Sequence, residues 1–290
     1  MSSPGKNKSC YLCAGRDFIR RPGTVRDNPS LEILQCQLCG LVALSSRDHI
    51  SEGFYETSGM HPEAQSVETW LKQTAGDDAR RLEFARTLIE NKRVLDFGCG
   101  NGGFLLRARD VAAEVAGIEP ESRLRPHFAA HGLKVWDKLS AVTDTFDVIT
   151  LFHVLEHLPD PRQVLAVLGK ILRPSGQLLI EVPNADDALL TLYSSEPFSR
   201  FTYWSCHIFL FNAVTLAKVC AQAGFRVNCV KHIQRYPLSN HLHWLARGQP
   251  GGHQRWHFLD SAQLHDAYEK QLASLAATDT IMASIGPGTP

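Results

Sequence analysis

Four cysteines near the start of the chain stand in two pairs whose spacing suits a metal ion. Cys10 and Cys13 form the first Cys-x-x-Cys pair, Cys36 and Cys39 form the second, and 22 residues separate the pairs. Two such pairs typically build a tetrahedral zinc site with four thiolate ligands. Because four protein ligands leave no open position, the pattern predicts a structural zinc ion. A redox role for one pair is the weaker alternative, because a single zinc site explains both pairs together.

A glycine-rich stretch, VLDFGCGNGG, has the composition of a loop that lies against a ligand. Asp96, Gly98, Gly100 and Gly102 alternate where a predicted strand turns into a helix. Glycine there permits a tight turn and lets a ligand approach backbone N–H groups. Glu119 ends the next predicted strand, where a carboxylate can accept hydrogen bonds from both hydroxyls of a ribose. Together these residues predict a pocket for a cofactor that carries adenosine.

The glycines alone fit two cofactors. Gly98, Gly100 and Gly103 also match a dinucleotide fingerprint with an acidic residue about 20 positions further on. Asp96 favours the other cofactor, because a carboxylate beside the glycines opposes a pyrophosphate but suits the ammonium and sulfonium groups of S-adenosylmethionine. A dinucleotide-binding domain would have a second nucleotide-binding half after the fourth predicted strand, but this chain has the segment FHVLEHLPDP there. We therefore expect S-adenosylmethionine, with a nicotinamide cofactor as the alternative.

Histidines supply the candidates for a proton acceptor, which methyl transfer to a hydroxyl or to an acidic carbon requires. His207 lies among aromatic residues in FTYWSCHIFLFN and is the first candidate, with a packed, hydrogen-bonded histidine as the equally weighted alternative. Tyr203 is a further candidate acid, base or substrate contact. His153 follows the fourth predicted strand and is the second candidate. His157 and Glu156, in the same HVLEH segment, read equally well as a structural polar pair.

Alternating strands and helices must position these groups. We divide the chain into a zinc-binding module at 1–50, a helical connector at 51–92 and an α/β domain at 93–290. Short apolar runs predict six strands, namely RVLDFG, EVAGIEP, KVWD, FDVITLFHV, GQLLIEVPN and FRVNCVKHI. The late run DTIMASI is a candidate seventh strand, after a Gly/Pro-rich and histidine-rich stretch at about 236–277.

The overall composition is that of an ordinary soluble protein. The 30 basic and 30 acidic residues balance, so bulk charge favours neither nucleic acid nor an anionic membrane. Without a signal peptide or a long apolar run, the expected location is cytoplasmic. The remaining cysteines stand singly and are expected to fill the core; they are Cys99, Cys206, Cys220 and Cys229.

Four motifs follow one another within residues 93–233, namely VLDFGCGNG, GIEP, FDVITLFHVLEHLPDP and LRPSGQLLIEVPN. In these motifs and in their order, this part of the chain resembles the class I S-adenosylmethionine-dependent methyltransferases. The resemblance implies a Rossmann-like α/β fold, a seven-stranded mostly parallel sheet whose last strand is antiparallel, here DTIMASI. The stretch at 236–277 is then an insertion before that strand. The resemblance also implies roles for particular residues: Asp96, Gly98, Gly100 and Gly102 at the methionine end of the cofactor, Glu119 at the ribose, Asp137 and Lys138 at the adenine, and Phe152 and His153 beside the sulfonium.

The four-cysteine module and the aromatic segment around His207 are similar to those of sugar C-methyltransferases, in which a histidine in that segment is the proposed base. Those enzymes tend to have Glu-His where this chain has Cys206 and His207, and they carry a further C-terminal domain for which this chain is expected to be too short. The resemblance implies a hydroxyl or enolisable carbon of a sugar nucleotide, or of a related polysaccharide or natural-product precursor, as the acceptor. The alternatives are an NAD(P)-dependent oxidoreductase and a zinc protein that binds or modifies nucleic acid. The oligomeric state stays open.

Overall fold

The computed structural model describes residues 9–51, 53–56 and 66–288. Parts of the predicted connector, at 52 and 57–65, therefore lie outside the described residues. The strands are β1 Phe18–Arg20, β2 Ile33–Cys36, β3 Val42–Leu44, β4 Arg93–Phe97, β5 Glu114–Ile118, β6 Lys134–Trp136, β7 Phe146–Phe152, β8 Leu172–Pro183, β9 Phe209–Leu210, β10 Phe225–Ile233 and β11 Thr280–Pro287. The α-helices are α1 Val67–Ile89, α2 Gly103–Ala108, α3 Arg125–Ala130, α4 Pro161–Ile171, α5 Ala188–Thr191, α6 Glu196–Thr202, α7 Ala213–Gln222, α8 Leu238–Arg247, α9 Gly252–Arg255 and α10 Ala262–Ser274.

Seven strands form one large sheet in the order β10-β11-β8-β7-β4-β5-β6. All of them run parallel except β11, which is antiparallel to both β8 and β10. Central strands such as β7, with the sequence FDVITLF, are apolar almost throughout because helices cover both faces of the sheet. The predicted α/β class I methyltransferase fold, with its antiparallel last strand, is confirmed.

Helix α1 packs against α2 over one face of the large sheet. Ser66 caps its first turn by accepting a hydrogen bond from the backbone N–H of Thr69. Ala85 and Ile89 bury its last turns in an apolar cluster with Phe104 of α2. The helix ends at Ile89, shortly before β4 begins at Arg93, so its last turns lie near the amino ends of the strands and its first half reaches their carboxyl ends, where a ligand of a parallel sheet binds.

The N-terminal residues form a second, smaller sheet with the order β1-β2-β3-β9. Its fourth strand, β9, comes from the segment around His207, because Val42 pairs with Leu210 and Ala43 with Phe209. The hydrophobic core is continuous from this small sheet into the large one. The domain boundary near residue 50 stays a prediction, but the pairing shows that the two regions share a sheet.

The residues between β10 and β11 fold into α8, α9 and α10. Two hydrogen bonds attach them to the large sheet: the backbone N–H of Gln234, directly after β10, donates to Glu269 of α10, and the side chain of Asn184, directly after β8, donates to the carbonyl of Ala276. Among the described residues, no helix combines the length and the apolar character that crossing a bilayer requires.

Of the four single cysteines, three are buried as predicted, whereas Cys229 is exposed. The prediction for Cys229 was wrong because β10 is the edge strand of the large sheet, and one face of the strand is open to solvent.

Candidate active site

A cavity of about 370 Å³ opens at the carboxyl ends of β4, β5 and β7. Its lining combines the glycine-rich loop, the end of β7 and one face of α1. The residues are Tyr55, Trp70, Thr74, Asp77, Asp78, Arg81, Asp96, Phe97, Gly98, Cys99, Gly100, Asn101, Phe104, Ile118, Glu119, Pro120, Glu121, Phe152, His153, Val154, His157, Leu158 and Arg235. Parallel strands bring these distant segments together because their carboxyl ends meet at one edge.

The loop after β4 needs glycine for two different reasons. Gly98 has a φ of +75°, and a Cβ there would lie 2.5 Å from Val154 Cγ2, so both conformation and space exclude a side chain. Gly102 also has a positive φ, of +76°, but a Cβ on it would approach Leu133, at 3.0 Å. Gly102 therefore shapes the turn and does not itself line the cavity.

Asp96 is a buried carboxyl group at the floor of the cavity. Thr150 donates a hydrogen bond from Oγ1 to its Oδ1 atom, at 2.6 Å. Burial raises the pKa of Asp96 to about 7, despite this hydrogen bond. A cation next to Asp96 would favour the ionised form, so the site suits a positively charged ligand group.

Glu119 lies opposite the loop at the end of β5. The backbone N–H of Gly100 donates to its Oε2 at 2.8 Å, and that of Glu121 donates to its Oε1 at 3.0 Å. Burial raises the pKa of Glu119. Two backbone donors thus hold the carboxylate at the cavity wall. Asp137 and Lys138, predicted near the adenine, are not among the described residues that line the cavity, and their role stays a prediction.

The charges of the wall fit S-adenosylmethionine. Among the described residues, five carboxyl groups and two arginines line the cavity, so this part of the wall is predominantly acidic. The cofactor carries a sulfonium and an ammonium group, which such a wall attracts. The glycine loop leaves room for the backbone to approach it, and Glu119 stands where ribose hydroxyls are expected.

His153 follows β7 directly and has an unusual backbone conformation, with a φ of +57°. This turns its ring toward two carboxylates: Nδ1 lies 3.3 Å from Glu156 Oε1, and Nε2 lies 3.2 Å from Glu181 Oε1. Burial alone would lower the pKa of His153, but hydrogen bonds to Glu156 and Glu181 outweigh it and raise the pKa. The ring is thereby oriented at the cavity wall.

Glu181 is a fully buried carboxylate that connects β8 to α1. Burial opposes its ionisation, but Arg81 and His153 hold its pKa well below the usual range. Arg81 donates to Glu181 Oε1 from both Nε, at 3.0 Å, and Nη2, at 2.7 Å, and Arg80 Nη1 lies 2.9 Å from Oε2. This network fixes α1 against the wall that carries His153.

His157 also lines the cavity, beside Tyr55. Its Nδ1–H donates to the carbonyl of Cys206 at 2.8 Å, which defines Nε2 as the acceptor nitrogen of the neutral ring. The hydroxyl of Tyr55 donates to the carbonyl of His157 at 3.0 Å. The sequence alone gave equal weight to a purely structural role, but the structure places His157 at the cavity.

The other two predicted catalytic residues lie away from the cavity. The ring of His207 stacks at an angle on His157, with centroids 4.9 Å apart, and burial together with the nearby His157 lowers its pKa to about 3. Tyr203 is buried against the N-terminal module, where a Cβ on Gly23 would lie 2.6 Å from its ring. Their assignment to catalysis stays a prediction.

Several cavity residues have no counterpart among the residues singled out from the sequence. Asp77, Asp78 and Arg81 come from the DDARR stretch of α1, which reads locally as a charged, solvated helix face. Arg235, just after β10, reaches the cavity and pairs with Asp77. No local signal distinguishes these charges, because their position depends on how α1 packs on the sheet.

The four cysteines of the N-terminal module converge on one point. Cys10 and Cys39 have Sγ atoms 3.5 Å apart, as do Cys13 and Cys36, and all four lie within 4.8 Å of one another. A tetrahedral ion with bonds of about 2.3 Å separates its sulfur ligands by about 3.8 Å. A Cβ on Gly15 would lie 3.3 Å from Cys13 Sγ, so a side chain there would crowd the cluster. The cluster is compatible with a zinc module.

Comparisons with known proteins agree with this site. A family model described as a methyltransferase domain matches residues 70–230, more than half of the chain. A ubiquinone biosynthesis O-methyltransferase from Neisseria meningitidis serogroup A is 31% identical over 166 residues, which are 51% of this chain and 69% of that protein. Its counterpart from Nitrosococcus oceani is 34% identical over 117 residues, 36% of this chain and 50% of that protein.

Among solved structures, a SAM-dependent methyltransferase from Thermotoga maritima superposes with a TM-score of 0.51 at 17% identity, covering 83% of this chain and 99% of that one. This likeness concerns the fold alone. The family match decides between the two cofactors that the glycines left open, against the nicotinamide alternative. The chain belongs to the methyltransferase domain family and is a class I S-adenosylmethionine-dependent methyltransferase.

Proposed function

We propose that this enzyme transfers the methyl group of S-adenosylmethionine to a hydroxyl oxygen of a small acceptor molecule. The observation that carries the proposal is the single cavity that joins the cofactor loop, at Gly98 and Gly100, to His153 and His157 at the end of β7. The curated relatives reported above are named as O-methyltransferases, which favours oxygen over an enolisable carbon.

The cofactor supplies an electrophilic methyl group on a sulfonium that is already a good leaving group. The protein therefore has to hold the acceptor close to that carbon and take up a proton. Of the three predicted catalytic residues, His153 is the one that lines the cavity. We assign the proton uptake to His153 once the bound acceptor frees one of its ring nitrogens from Glu156 or Glu181, because a ring that donates to both carboxylates has no lone pair to offer.

The acceptor class follows from the walls beyond the cofactor loop. Tyr55 and Phe152 offer aromatic faces, and His157 offers a polar edge next to them. Such walls bind a ring that carries a hydroxyl, either the flat ring of a phenol or an apolar face of a sugar ring. The names of the relatives give no support to a sugar nucleotide, so we place a phenolic ring first and retain the sugar nucleotide as the competing acceptor.

The decisive experiment measures cofactor binding and product together. S-Adenosylhomocysteine should raise the melting temperature of the protein, whereas NAD should not. With S-adenosylmethionine, mass spectrometry of reactions with phenolic and sugar-nucleotide panels should show one added methyl group on an oxygen. Methylation confined to sugar nucleotides would replace our acceptor class, and the absence of S-adenosylhomocysteine binding would refute the proposed function.

We further propose that the four-cysteine cluster holds a structural zinc ion. Closed four-thiolate sites contribute directly to folding. The protein should therefore contain one tightly bound zinc per cluster, and Cys36→Ser should lower both the zinc content and the melting temperature. Equal zinc content in the variant and the wild type would contradict this assignment. Metal analysis and calorimetry provide the two measurements.

A further inference from the structure

A second cluster of metal-ligand residues lies directly behind the cavity wall. Glu156, His157 and His207 each offer one ligand atom, and these atoms all lie within 4.8 Å of one another. His157 and Glu156 belong to the turn after β7, whereas His207 comes from the segment that leads into β9. The tertiary structure therefore assembles this cluster from two segments that are about 50 residues apart in sequence.

Two polar atoms of the cluster are buried and unsatisfied in hydrogen bonding. Among the described residues, Glu156 Oε2 and His207 Nδ1 are buried atoms that have no hydrogen-bond partner. Glu156 is only 1% exposed, so its second oxygen cannot turn to bulk water. Leaving such groups unsatisfied destabilises the folded protein. Two polar atoms of ligand type, orphaned at the same place, point to a bound species that satisfies both.

The orientation of His157 matches that of a metal ligand. A histidine that binds a metal usually donates its other ring N–H to a carbonyl or a carboxylate, which fixes the tautomer. Here Nδ1 of His157 donates to the carbonyl of Cys206. Its Nε2 lies 3.9 Å from Glu156 Oε1, a separation that two ligands of one ion can have.

We propose that Glu156, His157 and His207 form a binding site for a divalent transition-metal ion, separate from the four-cysteine cluster. Two imidazoles and one carboxylate suit ions such as Zn²⁺ or Co²⁺, whereas Mg²⁺ and Ca²⁺ prefer oxygen ligands throughout. Three protein ligands leave a position for water or for an oxygen of the acceptor. Because His157 lines the cavity, the ion places positive charge beside the acceptor hydroxyl and favours loss of its proton.

The catalytic part of this inference rests on the proposed O-methyl transfer, but the binding part does not. The full-length protein is first treated with a chelator too weak to strip four thiolates and is then titrated with Co²⁺. We expect uptake of one ion per chain, with visible absorption that lacks the intense charge-transfer band of a thiolate ligand. Excess Mg²⁺ should not displace it. The same titration applies to Glu156→Gln, His207→Asn and the control His131→Asn, which removes an exposed histidine elsewhere.

Both ligand variants should bind Co²⁺ more than about tenfold more weakly, while the control matches the wild type. Binding of S-adenosylhomocysteine by each variant shows that it is folded and tests the proposed function independently. If a variant fails to fold, the spectrum of Co²⁺ bound to the wild-type protein is the test. A thiolate charge-transfer band, or no uptake of Co²⁺ at all, overturns the proposed site. Unchanged Co²⁺ affinity in both folded variants, or displacement by Mg²⁺, also overturns it.

Discussion

The buried carboxyl group of Asp96 should make the stability of the ligand-free enzyme fall as the pH rises. Its pKa is raised from 3.8 to about 7, mainly by burial. A carboxyl group with a higher pKa in the folded state binds its proton more tightly there than in the unfolded chain. The stabilisation is thus complete below about pH 4 and is lost as the pH rises through about 7. The difference of roughly three pH units corresponds to about 4 kcal/mol.

Asp96→Asn removes this ionisation and keeps the acceptor oxygen for Thr150, which donates to Oδ1 in the wild type. The variant should therefore be more stable than the wild type near pH 8, by an amount approaching those 4 kcal/mol, and similar to it near pH 4. Urea unfolding of both proteins across this pH range measures the difference between their free energies of unfolding. The contributions of the other titrating groups are the same in both proteins and cancel in this difference.

A stability difference that does not change with pH would refute the reasoning. The ligand provides a second check, because a cation beside Asp96 favours its ionised form. Binding of S-adenosylhomocysteine, which carries the ammonium group, should release protons near pH 6 and should weaken in Asp96→Asn. Calorimetry in two buffers with different ionisation enthalpies detects the release.

Three further predictions concern single residues. Gly98→Ala should lower the free energy of unfolding by more than about 1–3 kcal/mol, the usual cost of a strained backbone, because the added Cβ also meets Val154. Gly132 has a φ of +64° and open space around it, so Gly132→Ala is the control that should show the backbone cost alone in thermal unfolding. Glu119→Gln should weaken S-adenosylhomocysteine binding at least about tenfold in calorimetry, because a charge-assisted hydrogen bond becomes a neutral one and the new NH2 group faces one of the two backbone N–H groups that hold the carboxylate. Equal affinity would remove Glu119 from the ribose site. His153→Asn should lower kcat at least 100-fold with little change in S-adenosylhomocysteine affinity, and unchanged turnover would exclude proton uptake by His153.

Much of the fold was predictable because its signals are local. The alternation of apolar runs with amphipathic segments predicted six strands of the large sheet, and DTIMASI correctly indicated the antiparallel seventh. Boundaries were less accurate where pairing decides them. Strand β8 begins at Leu172, four residues before the predicted Gly176, because Leu172 already pairs with Phe146 of β7 directly after α4 ends.

The cofactor loop and the cysteine cluster could likewise be predicted from the sequence, since each depends on short spacings and on residue types with a defined chemistry. Gly98 and Gly100 follow one strand, and Glu119 ends the next, so strand adjacency alone brings them together. The two Cys-x-x-Cys pairs each form one turn. The second pair lies where β2 turns into β3, and the pairing of β1 with β2 brings the first pair beside it.

Which polar side chains reach the acceptor end of the cavity was decided only by the tertiary structure. Asp77, Asp78 and Arg81 lie in the wall because α1 crosses the face of the sheet toward its carboxyl ends. His207 is held behind His157 because β9 joins the N-terminal sheet. These placements depend on contacts between segments far apart in the chain, which no local pattern encodes. The sequence by itself determined an adenosine-cofactor loop and a four-cysteine cluster; packing determined which histidines, carboxylates and arginines surround the acceptor.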